Sequence, residues 1–324
     1  MNVLVVGYGS IGRRHVDNLL KLKQIDQIVV CSNHHDSFQN YPKKEKLKLV
    51  RSLEELSPMM SHGRQFRFAI VANETYKHIE TANVLANSGV HLFIEKPLSH
   101  SFNDAISLKK ILAGKDIKIF IAYNLRFLGA IEYIKNQISA GVIGSLYFAE
   151  IEVGQYLPAW RPLSDYRERY SARKEQGGGA ASDLSHEIDY MRYLFADPVS
   201  WKIMKSKVSD LDINSEDLFK GIYRFSSGFL CSVHADYIRH NKKRGISIVG
   251  SKGSIECDFI KKYIKMQKNN GEISLIEDAH LFDVDESYKS ELNHFIECIE
   301  NDKTPRITLD DGIEVLKLIE SDHV

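Results

Sequence analysis

The chain has 324 residues, of which 43% are hydrophobic and 27% are charged, and this length and composition predict a globular protein of two domains. Its 43 basic and 43 acidic side chains cancel to a formal net charge of zero, which gives no reason to expect a nucleic acid or an anionic membrane as partner. The cysteines form no CxxC pair, which excludes a disulfide framework and a zinc ribbon; they are Cys31, Cys231, Cys257 and Cys298.

Strand and helix patterns alternate through residues 1–122. Short continuous apolar runs predict buried strands, and amphipathic stretches between them predict helices. The predicted strands are Val3–Val6, Ile28–Val30, Phe68–Ala72, His91–Ile94 and Ile117–Ile121, and the predicted helices are Ser10–Lys23, Thr75–Asn87 and a helix capped by Ser101 that runs to Leu112. Such regular alternation predicts an α/β domain with a doubly wound parallel sheet over residues 1–122.

The pattern changes after residue 122. A helix near 129–140 precedes a segment, Leu146–Tyr156, whose alternating apolar and polar residues predict a strand with one covered face. Further strand-like segments and turn signals follow, at 199–208, 217–226, 228–237, 245–250 and 253–258, with turns at Ser226–Gly228 and Gly250–Gly253. Helical patterns occupy 286–301 and 309–322. Residues 123–324 therefore predict an α+β domain with a large, mostly antiparallel open sheet, and the final helices can pack back on the first domain.

A glycine-rich turn lies between the first predicted strand and the first predicted helix, with the sequence Gly7-Tyr8-Gly9-Ser10-Ile11-Gly12. In this strand–turn–helix context, G-x-G-x-x-G indicates a dinucleotide site of the Rossmann type. The first glycine permits the tight turn, the second lets the backbone approach a pyrophosphate, and the third lets the helix pack on the strand. The N–H groups of the helix N-terminus would bind the phosphates. The alternative is a glycine-rich turn that binds nothing.

The residues after the second predicted strand bear on the choice between NAD and NADP. An acid about 20 positions beyond the glycines would bind the ribose 2′-hydroxyl of NAD, but the sequence there reads Ser32-Asn33, and the first acid is Asp36. Since no carboxylate would repel a 2′-phosphate, and Ser32, Asn33 and Arg13 can donate hydrogen bonds to one, the sequence favours NADP. The alternative is that Ser32 or Asn33 binds the ribose of NAD.

A second group of candidates follows the predicted strand His91–Ile94, where the sequence reads Glu95-Lys96-Pro97. In a doubly wound sheet this is the carboxyl edge at which ligands bind. A lysine at this edge can donate a hydrogen bond to a substrate hydroxyl and stabilise its developing negative charge, and the proline restricts Lys96 to an extended conformation. The alternative is a surface turn without a catalytic role.

A third group lies in the second half of the chain, where Gly177-Gly178-Gly179 precedes Asp183, His186 and Asp189. Because the last three recur at three-residue spacing, we predict that they share one helical face. A histidine can take a hydroxyl proton near neutral pH, and a neighbouring carboxylate can orient it. The alternatives are a structural His–Asp pair and a metal site, although nothing else in the sequence completes a set of metal ligands, so we expect no metal.

Together these motifs resemble the Gfo/Idh/MocA family, named after glucose–fructose oxidoreductase and inositol 2-dehydrogenase. The resemblance covers nearly the whole chain and extends to Asn73, His78, Tyr123–Phe127 and the helices after Thr304-Pro305. It implies NAD(P)-dependent chemistry, with Lys96 and His186 beside the nicotinamide and His186 as the acid/base. It also implies cofactor contacts from Ala72, Asn73, His78 and Glu95, a place for Asn124 and Arg126 in the substrate cleft, and dimers or tetramers built through the open sheet.

One departure from the family pattern concerns the residue that supports His186. The usual pattern, D-x-x-x-H, places an aspartate four residues before the histidine. Here that position holds Ser182, and Asp183 comes three residues before His186. Either Asp183 takes the supporting role through a shifted turn, or the carboxylate comes from elsewhere.

The segment from Gln155 to Lys174 is long and irregular, and such loops often bind ligands. It carries four aromatic and four arginine side chains: Tyr156, Trp160, Tyr166, Tyr170, Arg161, Arg167, Arg169 and Arg173. Aromatic faces suit the C–H surfaces of sugars, and guanidinium groups suit carboxylates or phosphates. We therefore predict an anionic substrate, such as a nucleotide-linked or acidic sugar, contacted by Tyr156, Trp160, Arg161, Arg167 and Tyr170. The alternative is a subunit contact with solvated arginines.

The sequence thus predicts an oxidoreductase that moves a hydride between a nicotinamide and a hydroxyl-bearing carbon of a sugar or sugar derivative, and the loop also resembles family members of bacterial surface-polysaccharide pathways. Two rivals share this fold: a redox-neutral enzyme with tightly held NAD, and a nicotinamide-sensing regulator. The presence of both Lys96 and His186 argues against the regulator. Because the chain has neither a run of about 18 apolar residues nor the start of a signal peptide, we predict a cytoplasmic protein without a membrane partner.

Overall fold

The computed structural model describes residues 1–33, 44–56 and 65–323, and the chain divides into two compact units. The first unit comprises Met1–Ala122 and Leu292–Ile313, and the second comprises Tyr123–Glu291 and the chain from Glu314 onward. The functional division into a cofactor-binding domain and a substrate-binding domain stays a prediction. Among the described residues, no helix is long and apolar enough to cross a membrane.

The first unit contains a sheet of six parallel strands. Its elements are β1 (Asn2–Val6), α1 (Ser10–Leu19), β2 (Gln27–Cys31), β3 (Leu47–Val50), β4 (Phe68–Val71), α2 (His78–Asn87), β5 (His91–Glu95), α3 (Phe102–Leu112) and β6 (Ile119–Ala122). The strand order is β3-β2-β1-β4-β5-β6, which changes direction between β1 and β4. The carboxyl ends of these two strands therefore form the switch point at which such sheets bind ligands. The predicted parallel α/β sheet is confirmed.

The core of the first unit is apolar and partly aromatic. Val3, Leu4 and Val5 are completely buried, as expected for a central parallel strand covered on both faces. The rings of Phe93 and Phe120 stack with centroids 5.0 Å apart, and the ring of Phe295 lies 5.7 Å from that of Phe93. Residues near Phe295, late in the chain, thus complete the core of the N-terminal sheet.

The second unit contains a sheet of eight strands. The elements that follow β6 are α4 (Gly129–Ser139), β7 (Leu146–Gly154), α5 (Ala180–Asp183), α6 (His186–Phe195), β8 (Ser200–Ser206), β9 (Leu218–Arg224), β10 (Leu230–Asp236), β11 (Lys243–Gly250), β12 (Gly253–Asp258), β13 (Tyr263–Lys268), β14 (Ile273–Ile276), α7 (Val284–Glu300) and α8 (Leu309–Glu320). The strand order is β14-β13-β12-β11-β7-β10-β9-β8; β7 and β10 pair in parallel, and the other neighbours are antiparallel. The predicted mostly antiparallel sheet is confirmed.

The two faces of the eight-stranded sheet differ in exposure. Ala149, Ile151 and Val153 of β7 are buried on one face, whereas Ile222 and Leu230 are exposed on the other. Alternation along the strands produces this division, because successive side chains point to opposite faces. One face of the sheet therefore packs on the core of the unit, and the other remains open.

The largest differences from the sequence-based prediction are three strands and the end of one helix. Helix α1 ends at Leu19 rather than Lys23, because the N–H groups of Lys21 and Leu22 bond to carbonyls three residues earlier and tighten the last turn. Strands β3, β13 and β14 were not predicted. They lie at or next to the edges of the two sheets, and their short segments carry polar residues that conceal the periodic pattern.

Candidate functional site

The turn between β1 and α1 has a backbone that approaches its neighbours closely. Gly7 has a φ of +96°, and a Cβ at this residue would lie 2.5 Å from the backbone of Ala72 and Asn73. A Cβ at Gly12 would lie 2.2 Å from the carbonyl oxygen of Gly7, so α1 packs directly on the turn. A Cβ at Gly9 would meet nothing within 4 Å. Open space therefore lies in front of Gly9 at the N-terminus of α1, where an anion binds favourably.

The side chains of this turn are partly buried and partly exposed. Tyr8 is buried, and the guanidinium of Arg13 lies over its ring at 5.1 Å from the centroid. Ser10 and Arg13 are exposed, and Ile11 is half-buried. The exposed side chains can reach a ligand in front of the turn, whereas Tyr8 belongs to the support beneath it.

The residues after β2 are described only as far as Asn33. The backbone N–H of Ser32 donates to the carbonyl of Val50 at 3.0 Å, which holds the end of β2 against β3. The side chain of Ser32 is buried and that of Asn33 is exposed. Asp36, which entered the comparison of NAD with NADP, lies outside the described residues.

The loop after β4 is tied to the loop after β5 through His78. One ring nitrogen of His78 lies 3.0 Å from the carbonyl oxygen of Pro97, and the other lies 3.0 Å from that of Asn73. Burial lowers the pKa of His78, which favours the neutral imidazole. The amide of Asn73 donates to the hydroxyl of Thr81 at 2.8 Å. Both ring nitrogens of His78, predicted as a cofactor contact, thus face protein carbonyls.

Glu95 is buried at the end of β5 and is paired with a histidine. Its Oε1 lies 2.6 Å from Nε2 of His15 on α1, and its Oε2 accepts from the backbone N–H of Lys96 at 3.3 Å. His15 is completely buried, with its ring against the edge of Phe93. Because a buried carboxylate is costly unless it is paired, this contact fixes Glu95. The Glu95–His15 pair links α1, the helix after the glycine turn, to the residue before Lys96. Lys96 itself is half-buried and precedes a cis proline.

The prediction that Asp183, His186 and Asp189 share one helical face is wrong for Asp183, whereas His186 and Asp189 lie three residues apart on one helix. Asp183 ends the short helix α5, and His186 begins a separate helix, α6. Between them Leu184 has φ and ψ of −102° and 28°, outside the range of a regular α-helix. The break separates Asp183 from the helical face that His186 and Asp189 share.

Asp183 is a buried acceptor for two tyrosines. The hydroxyl of Tyr237 donates to Oδ2 of Asp183 at 2.6 Å, and the hydroxyl of Tyr170 also hydrogen-bonds to this carboxylate. The negative charge of Asp183 together with burial holds the pKa of Tyr170 well above its usual range, and burial together with that charge does the same for Tyr237. Both hydroxyls therefore remain protonated and donate to Asp183.

His186 is buried at the first turn of α6, a helix held by two ion pairs. Nε and Nη2 of Arg126 donate to the carboxylate of Asp189 at 2.9 and 2.7 Å, and both side chains are buried. Glu187, which lies on the same helix, accepts a hydrogen bond from Nε of Arg244 of β11 at 2.7 Å. Bidentate pairs of this kind fix geometry as well as charge. They therefore fix the helix that presents His186.

Two residues that were predicted to line the substrate cleft are engaged inside the second unit. Arg126 forms the bidentate pair with Asp189, and the amide of Asn124 donates to the hydroxyl of Ser287 at 2.8 Å. Both side chains are buried. Through these contacts, Asn124 and Arg126 hold the segment that follows β6 in place.

The loop from Gln155 to Lys174 is ordered by its own aromatic side chains. Trp160 packs edge-on against Tyr237, and Tyr156 lies over His240 with ring centroids 4.3 Å apart. Arg167 pairs with Asp165 and lowers the pKa of that carboxyl to about 2. Arg161 is exposed, and its positive charge opposes the rise in the pKa of Tyr170, so it lies near that hydroxyl. Of the loop residues predicted to contact a substrate, Tyr156, Trp160 and Arg167 thus make contacts within the protein, and Arg161 is exposed.

A cavity of about 780 Å³ lies within the first unit. Val6 and Asn73 place it at the carboxyl ends of β1 and β4. Its other lining residues come from the turn after β3 and from α2 and its flanks: Ser52, Leu53, Glu54, Lys77, Glu80, Thr81, Val84, Asn87 and Ser88. The cavity is thus located at the switch point of the parallel sheet, where doubly wound folds bind their ligands.

Sequence models of one oxidoreductase family match most of the chain. The model for its NAD-binding Rossmann fold matches residues 1–123, and the model for its C-terminal alpha/beta domain matches residues 135–321. The chain belongs to the Gfo/Idh/MocA family. The predicted resemblance is confirmed, and the chain is an oxidoreductase of this family with an NAD-binding Rossmann fold.

Individual relatives are similar over the full length. The myo-inositol 2-dehydrogenase of Thermotoga maritima is 25% identical over an alignment that covers 98% of this chain and 94% of the relative. A levoglucosan dehydrogenase solved in complex with NADH has a TM-score of 0.83 at 18% identity, covering 97% of this chain and 94% of that one. The WlbA dehydrogenase from Bordetella pertussis, in complex with NADH and UDP-GlcNAcA, has a TM-score of 0.83 at 18% identity, covering 98% and 94%. These structures share the fold of this chain.

The Rossmann unit of this Gfo/Idh/MocA protein fits a dinucleotide. The open space at Gly9 admits a phosphate group, and the cavity beside Val6 and Asn73 extends the site along the carboxyl ends of the strands.

Sequence reasoning did not identify His15 or Tyr237 as parts of the candidate site. The available signal for His15 was a polar residue close to Val16 and Leu19 on α1, whereas Tyr237 gave no signal of its own.

Proposed function

We propose that this Gfo/Idh/MocA protein is an NAD(P)-dependent dehydrogenase that oxidises, or in reverse forms, a hydroxyl-bearing carbon of a sugar or sugar derivative. The observation that carries the proposal is the open space in front of Gly9 at the N-terminus of α1, where a pyrophosphate would bind. The names of the similar proteins, a myo-inositol 2-dehydrogenase and a levoglucosan dehydrogenase, support the substrate class.

The proposed roles of the chain's own residues follow from their chemistry. Bound nicotinamide supplies the hydride acceptor or donor. His186 takes the proton of the substrate hydroxyl during oxidation and returns it in the reverse direction. Lys96 donates a hydrogen bond to the same oxygen and stabilises the negative charge that develops on it. Asp189 and Arg126 position the helix of His186, and Asp183 positions Tyr170 in the substrate loop.

A turnover assay over a panel of substrates tests this function. Purified protein is mixed with NAD or NADP and with polyols, neutral sugars, acidic sugars or nucleotide sugars, and the absorbance of reduced nicotinamide is followed. We expect net reduction with at least one sugar. Sugar conversion without an absorbance change would instead identify a redox-neutral enzyme, and NADH binding without conversion of any sugar would indicate a regulator.

We further propose that the substrate is anionic. Arg161 is exposed near Tyr170 on the substrate loop, and exposed Arg169 and Arg173 add positive charge to the same loop. The complex of the similar WlbA dehydrogenase with UDP-GlcNAcA supports an acidic nucleotide sugar. Higher kcat/KM for acidic or nucleotide sugars than for neutral ones is expected from the panel. Activity confined to uncharged sugars would contradict the proposal.

Alanine substitutions in the glycine turn should separate cofactor binding from folding. The Cβ of Gly9→Ala meets no atom of the protein, so we expect an unchanged melting temperature. NADH binding should weaken at least about fivefold, since one added methyl in a tight contact costs roughly 1–3 kcal/mol. Gly12→Ala would place a Cβ against the Gly7 carbonyl, so it should lower the free energy of unfolding by roughly 1–3 kcal/mol. Thermal unfolding and NADH titration measure both; unaltered NADH affinity in Gly9→Ala would place the cofactor elsewhere.

We propose that the open face of the eight-stranded sheet joins subunits into a dimer or tetramer. Three side chains, Met204, Ile222 and Leu230, are exposed on this face with 67%, 52% and 43% of their surface accessible. Apolar side chains clustered on one open face are typical of an interaction surface. Light scattering should give a mass of two or four chains, and a monomer at micromolar concentration would contradict the proposal.

A further inference from the structure

The wall of the first-unit cavity next to β3 carries a carboxylate. Glu54 begins a short 3-10 helix after β3 and lines the cavity together with Ser52 and Leu53. Cys31, the last residue of β2, pairs with Val50, the last residue of β3. The segment that follows β3, which contains Glu54, therefore lies beside the end of β2. Burial, followed by the charges of Glu54 and Glu55, raises the pKa of Cys31 to about 11. Both carboxylates therefore lie within electrostatic range of the position that reads the ribose in Rossmann folds.

The charges on the described cavity lining favour a neutral group over an anion. A hydrogen bond from Ser52 lowers the pKa of Glu54, so this carboxylate is ionised at neutral pH. Glu80 contributes a second carboxylate from α2. Lys77 also lines the cavity, but its ammonium pairs with Glu74 at 3.2 Å. The lining thus offers two acids and one lysine that already has a carboxylate partner.

NAD and NADP differ in the group that such a lining would meet. The ribose 2′-hydroxyl of NAD can donate a hydrogen bond to a carboxylate, whereas the 2′-phosphate of NADP is an anion that a carboxylate repels. Rossmann folds that use NAD commonly place the acid at the end of the second strand. In this chain that position holds Ser32 and Asn33, and the nearby carboxylate comes from the turn after β3.

We propose that Glu54 selects the cofactor, by taking the place of the acid that is absent from the end of β2, and that this protein uses NAD in preference to NADP. The inference rests on the proposed function, since it assigns a residue to the dinucleotide site. The proposal reverses the preference for NADP that the sequence predicted. Glu54 is 22 positions from Ser32 in the sequence, so the sequence alone did not show that Glu54 lies near the end of β2.

Titration of the full-length protein with NADH and with NADPH, followed by fluorescence or calorimetry, tests the proposal without a substrate. We expect the wild type to bind NADH at least about tenfold more tightly than NADPH, and Glu54→Gln to reduce that ratio about fivefold or more, because one repelling charge is removed. The matched control is Glu55→Gln. It removes the same charge from the next residue, which is also within electrostatic range but accepts the backbone N–H of Arg51 and is not part of the cavity lining, so its ratio should change clearly less than that of Glu54→Gln.

The outcomes separate this inference from the proposed function. Tighter binding of NADPH by the wild type, an unchanged ratio in Glu54→Gln, or an equal effect of Glu55→Gln would overturn the assignment of Glu54 while leaving a dinucleotide enzyme. Binding of neither nucleotide would overturn the dinucleotide site itself. Circular dichroism and thermal unfolding of each variant ensure that the titrations compare folded proteins.

Discussion

Replacement of His186 by Gln, or of Lys96 by Met, is expected to lower kcat about a hundredfold or more, while NADH affinity changes little. Gln keeps a polar group at the start of α6 but cannot take a proton, and Met keeps the length of the lysine without its charge. If the two residues act on one substrate oxygen, each loss removes stabilisation of the transition state rather than of the bound cofactor. Steady-state kinetics with the best sugar of the panel and NADH titration measure the two quantities separately.

Matched controls for these variants are available at exposed positions of the same unit as Lys96. His100→Gln and Lys110→Met remove the same functional groups from exposed sites outside the candidate site. Both controls should retain nearly full turnover. Near-normal kcat in His186→Gln or in Lys96→Met would exclude that residue from the mechanism, and a parallel loss of NADH binding in Lys96→Met would make it a cofactor contact.

Truncation of Asp189 to Ala is expected to be the most destabilising of the proposed substitutions. It leaves the guanidinium of Arg126 buried without its bidentate partner, and breaking a buried ion pair costs roughly 3–5 kcal/mol. Urea denaturation should show this loss as a lower midpoint. The double substitution Arg126→Met with Asp189→Leu should recover much of the stability, because it removes both charges together.

An exposed ion pair provides the comparison for this prediction. Lys289 and Glu286 lie 3.0 Å apart on α7, and both side chains are well exposed. Lys289→Met should therefore leave the unfolding midpoint nearly unchanged, since exposed pairs contribute little. An Asp189→Ala midpoint equal to that of Lys289→Met would show that the buried pair does not hold α6.

The central strands of both sheets and one edge strand of each, β6 and β8, could be predicted from the sequence, whereas the opposite edges at β3 and at β13 and β14 could not. Central strands such as β1 and β5 are covered on both faces, so their continuous apolar runs are visible in the sequence. Edge strands such as β3 and β14 expose much of their surface and are only four residues long. A pattern of two repeats is too short to distinguish a strand from a polar loop.

Within the candidate site, the glycine turn was predictable because its function depends on neighbouring residues. The partners that fix the other residues come from distant positions. His15 and Glu95 are 80 positions apart, and Arg126 and Asp189 are 63 apart. The sequence shows which side chains can ionise or donate, but only the fold decides which of them meet. Nothing in the sequence, for example, indicates that the carboxylate of Asp189 receives the guanidinium of Arg126.

The claim that Lys96 and His186 act on one substrate oxygen is tested most directly by a crystal structure of the protein with NADH and its sugar. The account predicts the pyrophosphate in front of Gly9, and both the ammonium of Lys96 and the imidazole of His186 about 2.6–3.2 Å from the same hydroxyl oxygen. Contact of the two side chains with different parts of the sugar, or a dinucleotide bound away from the glycine turn, would contradict it.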